Sequence, residues 1–81
     1  MSDNSKKLVT AFVDALKIEK VAVVDSLEYN SIKEWDSVAH MVLIATLEQS
    51  FDIMLDVDDI VEMSSVAKAR EILASQGISF E

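Results

Sequence analysis

Apolar positions along this chain recur at the three-and-four spacing of helices, and none of its segments shows the sustained alternation of a half-buried strand. Leu8, Val9, Phe12, Val13 and Leu16 form a stripe that predicts a first helix over roughly residues 4–17, with Asp3 or Ser5 as its cap. Residues 19–35 have no regular period. They are expected to be a long connection, with Val21, Val23 and Val24 tucked under the remaining elements. Asp36 is placed to cap a second helix, its carboxylate accepting backbone N–H bonds at the positive helix end. Advancing 100° per residue along that helix puts Met41, Ile44, Leu47 and Phe51 on one face, the expected core face. The opposite face carries Ala39, Val42, Ala45, Thr46 and Gln49 and has no charge.

Asp56 can cap a short third helix through about Glu62, with Asp58 and Asp59 in its first turn and Ile60, Val61 and Met63 expected to point inward. Ser64 or Ser65 caps the last helix, from Val66 to about Ser75, whose stripe is Val66, Ala69, Ile72 and Leu73. Gly77 supplies a left-handed stop. The predicted fold is all-α: a small four-helix bundle of three longer helices and one short one, with a long loop between the first and second. No repeat, low-complexity tract or linker divides residues 1–81, which read as a single domain.

Composition agrees with that reading. The chain has no proline and one glycine, so little in it supplies the tight-turn chemistry that repeated hairpins need. It also has no cysteine, so neither disulfides nor thiolate metal sites are open to it. A chain of this size buries only about 60–65 % of its unfolded surface, and packing must supply its stability. Residues 1–20 are amphipathic, with Lys and Asp interrupting any apolar core, and the longest apolar stretch, residues 41–45, is far short of a membrane span. The expectation is a soluble cytoplasmic protein.

Charge narrows the partners. Fifteen acidic against seven basic residues give a net charge of −8, which disfavours nucleic acid and anionic membranes and favours a basic partner surface. Between Lys33 and Lys68 there is no Lys or Arg, while Glu34, Asp36, Glu48, Asp52, Asp56, Asp58, Asp59 and Glu62 are acidic. Solvation of a small apolar protein explains part of this. A docking role gains weight because the acids flank the Asp36-Ser37 pair.

That pair is the centre of the candidate chemistry. A serine hydroxyl near its free pKa is a weak nucleophile, and His40 is the only histidine that could serve it as a base. No nucleophile, base and acid set can be assembled, so the chain is not expected to be an enzyme. Ser37 reads as a modification target. His40 reads as structural, and Trp35 as packed on the bundle and fixing the loop. Asp56, Asp58, Asp59 and Glu62 lack the glycine and terminal Glu of a calcium loop, so no metal site is expected.

Asp36 and Ser37 open an apolar helical run, Glu48 follows the serine by eleven residues, Phe51-Asp52 ends the run, and an acidic segment leads to the Ser64-Ser65-Val66 entry of the last helix. This arrangement resembles the acyl carrier protein family over nearly the whole chain. The dipeptide alone carries no weight; its combination with the downstream pattern and total length does. Asp25-Ser26-Leu27-Glu28 matches the family's usual Asp-Ser-Leu-acid wording more literally, but no apolar helical run and no Glu and Phe-Asp at the required distances follow it.

The resemblance implies that a Mg²⁺-dependent phosphopantetheinyl transferase attaches the 4'-phosphopantetheine of coenzyme A to Ser37. The arm's thiol would carry an acyl group as a thioester, and the tether would raise its effective concentration at a docked enzyme. Asp36, Trp35 and Val38 would support the attachment motif. Met41, Ile44, Met63 and Ala67 would border a space for the acyl chain, although plain core packing is the simpler account of each. Ala39, Val42, Ala45, Asp56, Asp58 and Asp59 would meet partners: the transferase and acyl-activating, acyltransferase or condensing enzymes acting on a monomeric carrier.

Carriers of general fatty-acid synthesis typically have Gly two residues before the Asp, Leu after the Ser, and acids two and five positions after it. This chain has Glu34, Val38, Ala39 and Val42 there. The Trp-Asp-Ser wording and apolar second helix are more like specialised stand-alone carriers of lipid, polysaccharide or secondary-metabolite pathways. The alternatives are an aminoacyl or peptidyl carrier of a nonribosomal system, and an unmodified helical interaction module.

Overall fold

The computed structural model describes residues 3–80. Among them are four α-helices and no strand: α1 (Asp3–Leu16), α2 (Ser37–Phe51), α3 (Val57–Glu62) and α4 (Val66–Ser75), with a 3₁₀ turn at Lys20–Ala22. The small helical bundle is therefore observed, with α1 packed chiefly on α2. Its Cα radius of gyration of 11.3 Å matches the roughly 12 Å of a compact chain of this length. No helix of the described residues is long and apolar enough to cross a membrane.

The helix ends follow local chemistry. Asp36, in extended conformation, accepts from the Ala39 N–H at 2.8 Å, and Ser65 accepts from the Lys68 N–H at 3.0 Å. Asp56 and Asp59 form a reciprocal capping box on α3. Asp3 and Ser5 are both helical residues of α1 and so are not its flanking cap, a position that lies outside the described residues. Gly77 takes φ +93°, and the Gly77 and Ile78 N–H groups donate to Ala74 O and Leu73 O, the paired closure of a left-handed helix stop.

The core joins Leu8, Phe12 and Leu16 of α1 to Leu43, Ile44, Leu47 and Phe51 of α2 and to the Val66, Ala69, Ile72 and Leu73 stripe of α4. Trp35, wholly buried at 0 % exposure, packs its ring edge to face with Phe12, centroids 5.2 Å apart.

Three expectations about burial are corrected. Met41 is not in the core but 55 % exposed, because the buried face of α2 is turned toward His40 and Leu43. Val61 is 75 % exposed: α3 makes under two turns and directs Ile60 inward, with the buried Met63 following it. Val21, at 82 % exposure, and Val24 lie outside the bundle, while Val23, Leu27 and Ile32 pack against it from the long connection.

That connection is pinned to the start of α4. Tyr29 N–H donates to Ser64 O at 2.8 Å, Val66 N–H to Leu27 O at 3.0 Å, and Ala67 N–H to Asp25 O at 3.1 Å. Few loops of this length stay unpaired in so small a domain, because buried backbone groups need partners.

Candidate functional site

Ser37 is the first residue of α2 and is exposed. Asp36 holds the helix entry by its bond to Ala39 N–H, and the His40 N–H to Asp36 O bond of 2.8 Å begins the helical ladder. Ser37 and Val38 lie in the first turn, before the capped Ala39 N–H and the laddered His40 N–H, so the serine stands at the positive end of α2, which the Asp36 carboxylate partly offsets.

The second Asp-Ser pair is held differently. Ser26 is exposed too, but it lies in a turn of the connection, and Asp25 forms an ion pair with Arg70 at 3.1 Å. No helix opens at Ser26. What separates the two serines is the element that each begins.

His40 is not a base for Ser37 in this arrangement. Trp35 Nε1–H donates to His40 Nδ1 at 2.9 Å, and His40 Nε2 lies 2.9 Å from Ile60 O. An indole nitrogen can only donate and a carbonyl can only accept, so this network assigns the hydrogen to Nε2 and leaves neither ring nitrogen free. Tyr29 closes the cluster with its ring edge against His40, centroids 5.1 Å apart.

A shallow groove, wide open to solvent, runs along the outer side of α2 from the serine, formed by Ser37, Val38, Met41, Val42, Ala45, Thr46 and Gln49 of this one helix. Thr46 Oγ1 donates back to Val42 O at 2.8 Å, so that hydroxyl is satisfied within its own helix. Between Ser37 and Gln49 the groove therefore offers a largely apolar floor. Val38 and Met41 belong to it, a placement that the predicted faces missed. Ala39 does not: it is half-buried and packs against the core.

The remaining candidate residues are dispersed. Ile44 and Met63 are buried, Met41 is on the groove, and Ala67 is half-buried where α4 meets the connection. The four do not line one space. Met63 instead borders a separate cavity of about 280 Å³ with Tyr29, His40, Ile60, Val61 and Ser64. Asp58 is exposed, whereas Asp56 and Asp59 are engaged in capping α3. Glu48 also has a structural partner, accepting the Leu55 N–H at 2.9 Å and so fixing the chain as it leaves α2. Among the described residues no group of three His, Asp or Glu side chains converges to hold a metal ion.

Neither a scan against protein-family models nor a search of curated proteins finds a match to this chain.

Proposed function

We propose that this chain is a specialised acyl carrier protein with a 4'-phosphopantetheine arm on Ser37. The observation that carries the reading is the exposed Ser37 at the first position of a helix whose entry Asp36 caps. The residues present fit the group: an accessible hydroxyl can form the phosphodiester, and the positive end of α2 favours its negative charge. Bound there, the arm supplies a terminal thiol that holds an acyl group as a thioester. The chain's own part is to present Ser37, hold the helix entry rigid and offer a surface to partner enzymes. With both His40 nitrogens engaged, activation of the serine falls to the Mg²⁺-dependent transferase.

In this reading the carrier is a cytoplasmic monomer that meets the transferase and acyl-activating, acyltransferase or condensing enzymes. The groove below Ser37 forms the centre of the docking face, through Val42 and Ala45 with Val38 and Met41, and Asp56, Asp58 and Asp59 supply an acidic margin. The exposed apolar groove also favours a second reading, an interaction module with no arm. Intact mass after incubation with coenzyme A, Mg²⁺ and a broad-specificity phosphopantetheinyl transferase separates the two. Wild type and Ser26→Ala should each gain one phosphopantetheinyl group, and Ser37→Ala should gain none. An unmodified wild type would leave the interaction module; labelled Ser37→Ala would move the site.

A further inference from the structure

The apolar stripe of α1 divides in two. Leu8, Ala11, Phe12, Ala15 and Leu16 enter the core, while Val9 and Val13 stand outside that cluster. Val9 is nonetheless only 9 % exposed. Lys17, at φ 58°, ends the helix, and the 3₁₀ turn Lys20–Ala22 comes back against α1 on this side. Between the two elements lies a hollow of about 290 Å³, half open to solvent and lined by Lys6, Val9, Thr10, Val13 and Lys20.

Its chemistry is graded from floor to rim. The two valines give an apolar floor, whereas Lys6, Thr10 and Lys20 are exposed. A lysine lays its methylene stem along apolar surface and keeps its ammonium group in water, so both lysines extend the apolar wall and place their charges at the mouth. Neither is paired: the ion pair formed among the described residues is that of Arg70 with Asp25. The surroundings also differ from the rest of this acidic chain. Lys6, Lys7, Lys17, Lys20 and Lys33 offset Asp3, Asp14, Glu19, Asp25 and Glu28, so the net charge of −8 resides wholly in residues 34–81. An anion that the α2 and α3 side would repel meets no net charge here.

We propose that this hollow between α1 and the 3₁₀ turn binds a small amphipathic carboxylate, its apolar body on Val9 and Val13 and its head at the mouth beside Lys6 and Lys20. The hollow stands at the small end of ligand sites, which start near roughly 300 Å³, and so takes a short chain or a single ring. It has no Arg fork and no Gly-rich nest of backbone N–H groups, the parts that select phosphate, and a singly charged carboxylate is the closer match. The site is independent of the carrier reading, because none of its residues belongs to the Ser37 region.

The test is NMR titration of the unmodified full chain with sodium hexanoate, hexan-1-ol and sodium acetate at matched ionic strength. Hexanoate should shift the signals of Val9, Thr10, Val13 and Lys20 saturably, and acetate, a head without a body, should not. Lys6→Gln and Lys20→Gln, both substitutions of exposed side chains, should each weaken hexanoate about threefold, the scale of one exposed ion pair, and leave the weaker binding of hexan-1-ol unchanged. Lys33→Gln, outside the hollow, should bind hexanoate as wild type does. Hexan-1-ol bound as tightly as hexanoate would remove the lysines from the site and overturn the proposal. So would equal weakening in Lys33→Gln, which would reduce the effect to overall charge, shifts centred on Leu43 and Leu47 of the core instead of Val9 and Val13, or the absence of any saturable shift with hexanoate.

Discussion

The two sides of α2 are both apolar, yet one is the centre of the core and the other faces solvent. Leu43, Ile44, Leu47 and Phe51 are buried against α1 and α4, while Val38, Met41, Val42 and Ala45 line an open groove beginning at Ser37. Hydrophobicity does not separate them. The difference comes from what α1, α4 and the Trp35 segment cover, and it leaves an apolar strip exposed to solvent, the surface that the proposed docking would use. A surface helix that merely closed a bundle would carry polar residues there.

The contrast is broken most severely from the inside. Phe51→Ala should cost about 3–5 kcal/mol and Leu47→Ala about 2–5 kcal/mol, a large part of the roughly 5–15 kcal/mol available to a domain. The Phe51 ring also meets Phe80 at 6.3 Å and lies under Lys7 Nζ at 5.8 Å, so its removal loosens the C-terminal segment as well. Met41→Ala on the groove should change stability by no more than about 0.5 kcal/mol. Chemical denaturation of the three variants decides the matter. Equal losses for Met41→Ala and Leu47→Ala would mean that the two faces are not distinct.

Met41 also shows where the chain was readable and where it was not. Asp36, Asp56 and Ser65 announce their helices because a cap is a local event, a side-chain oxygen meeting a nearby N–H. The α4 stripe was legible because Lys68, Arg70 and Glu71 mark its polar side and so fix its phase. α2 has no such marker. With apolar residues all round, the 3.6-residue period is compatible with a face centred on Met41 or one centred on Leu43, and only the surrounding elements choose between them. The exposed positions of Val21, Val24 and Val61 escaped prediction for a related reason, since short segments carry too few residues to establish a period. At the site, Ser37 was readable as a helix start. The engagement of His40 was not, because Ile60 contributes a backbone carbonyl, which no side-chain pattern reveals.

A smaller effect sharpens the comparison at the helix entry, where the two Asp-Ser pairs differ. Asp36→Ala removes the acceptor of the Ala39 N–H and should cost about 1 kcal/mol. Asp25→Ala removes an ion pair with Arg70 in which the Asp25 side chain is mostly exposed, and should cost less than about 0.5 kcal/mol. Urea denaturation of the two variants, with salt varied, separates them: the loss in Asp36→Ala should persist at high salt and the loss in Asp25→Ala should fade. If the order were reversed, Asp36 would not be what holds the start of α2.

The smallest expected effect on folding tests the outer face itself. Val42→Asp places a charge on the groove, where Val42 is already about half exposed at 47 %, and stability should change by less than about 0.5 kcal/mol. Its effect on partners should be larger, because an unpaired carboxylate buried in a contact costs more than the contact returns. On the carrier proposal, loading of Ser37 by the transferase gives a rate to compare. If the partner covers the apolar strip, Val42→Asp should slow loading at limiting carrier by about tenfold, and the wild-type rate should survive a rise in salt that shortens the Debye length from about 10 Å to about 3 Å. If docking rests on the acids of α3, the pattern inverts: Val42→Asp loads normally and salt alone abolishes the wild-type rate. The neutral floor between Ser37 and Gln49 predicts the first pattern, since neither Val42 nor Ala45 offers a charge for salt to screen.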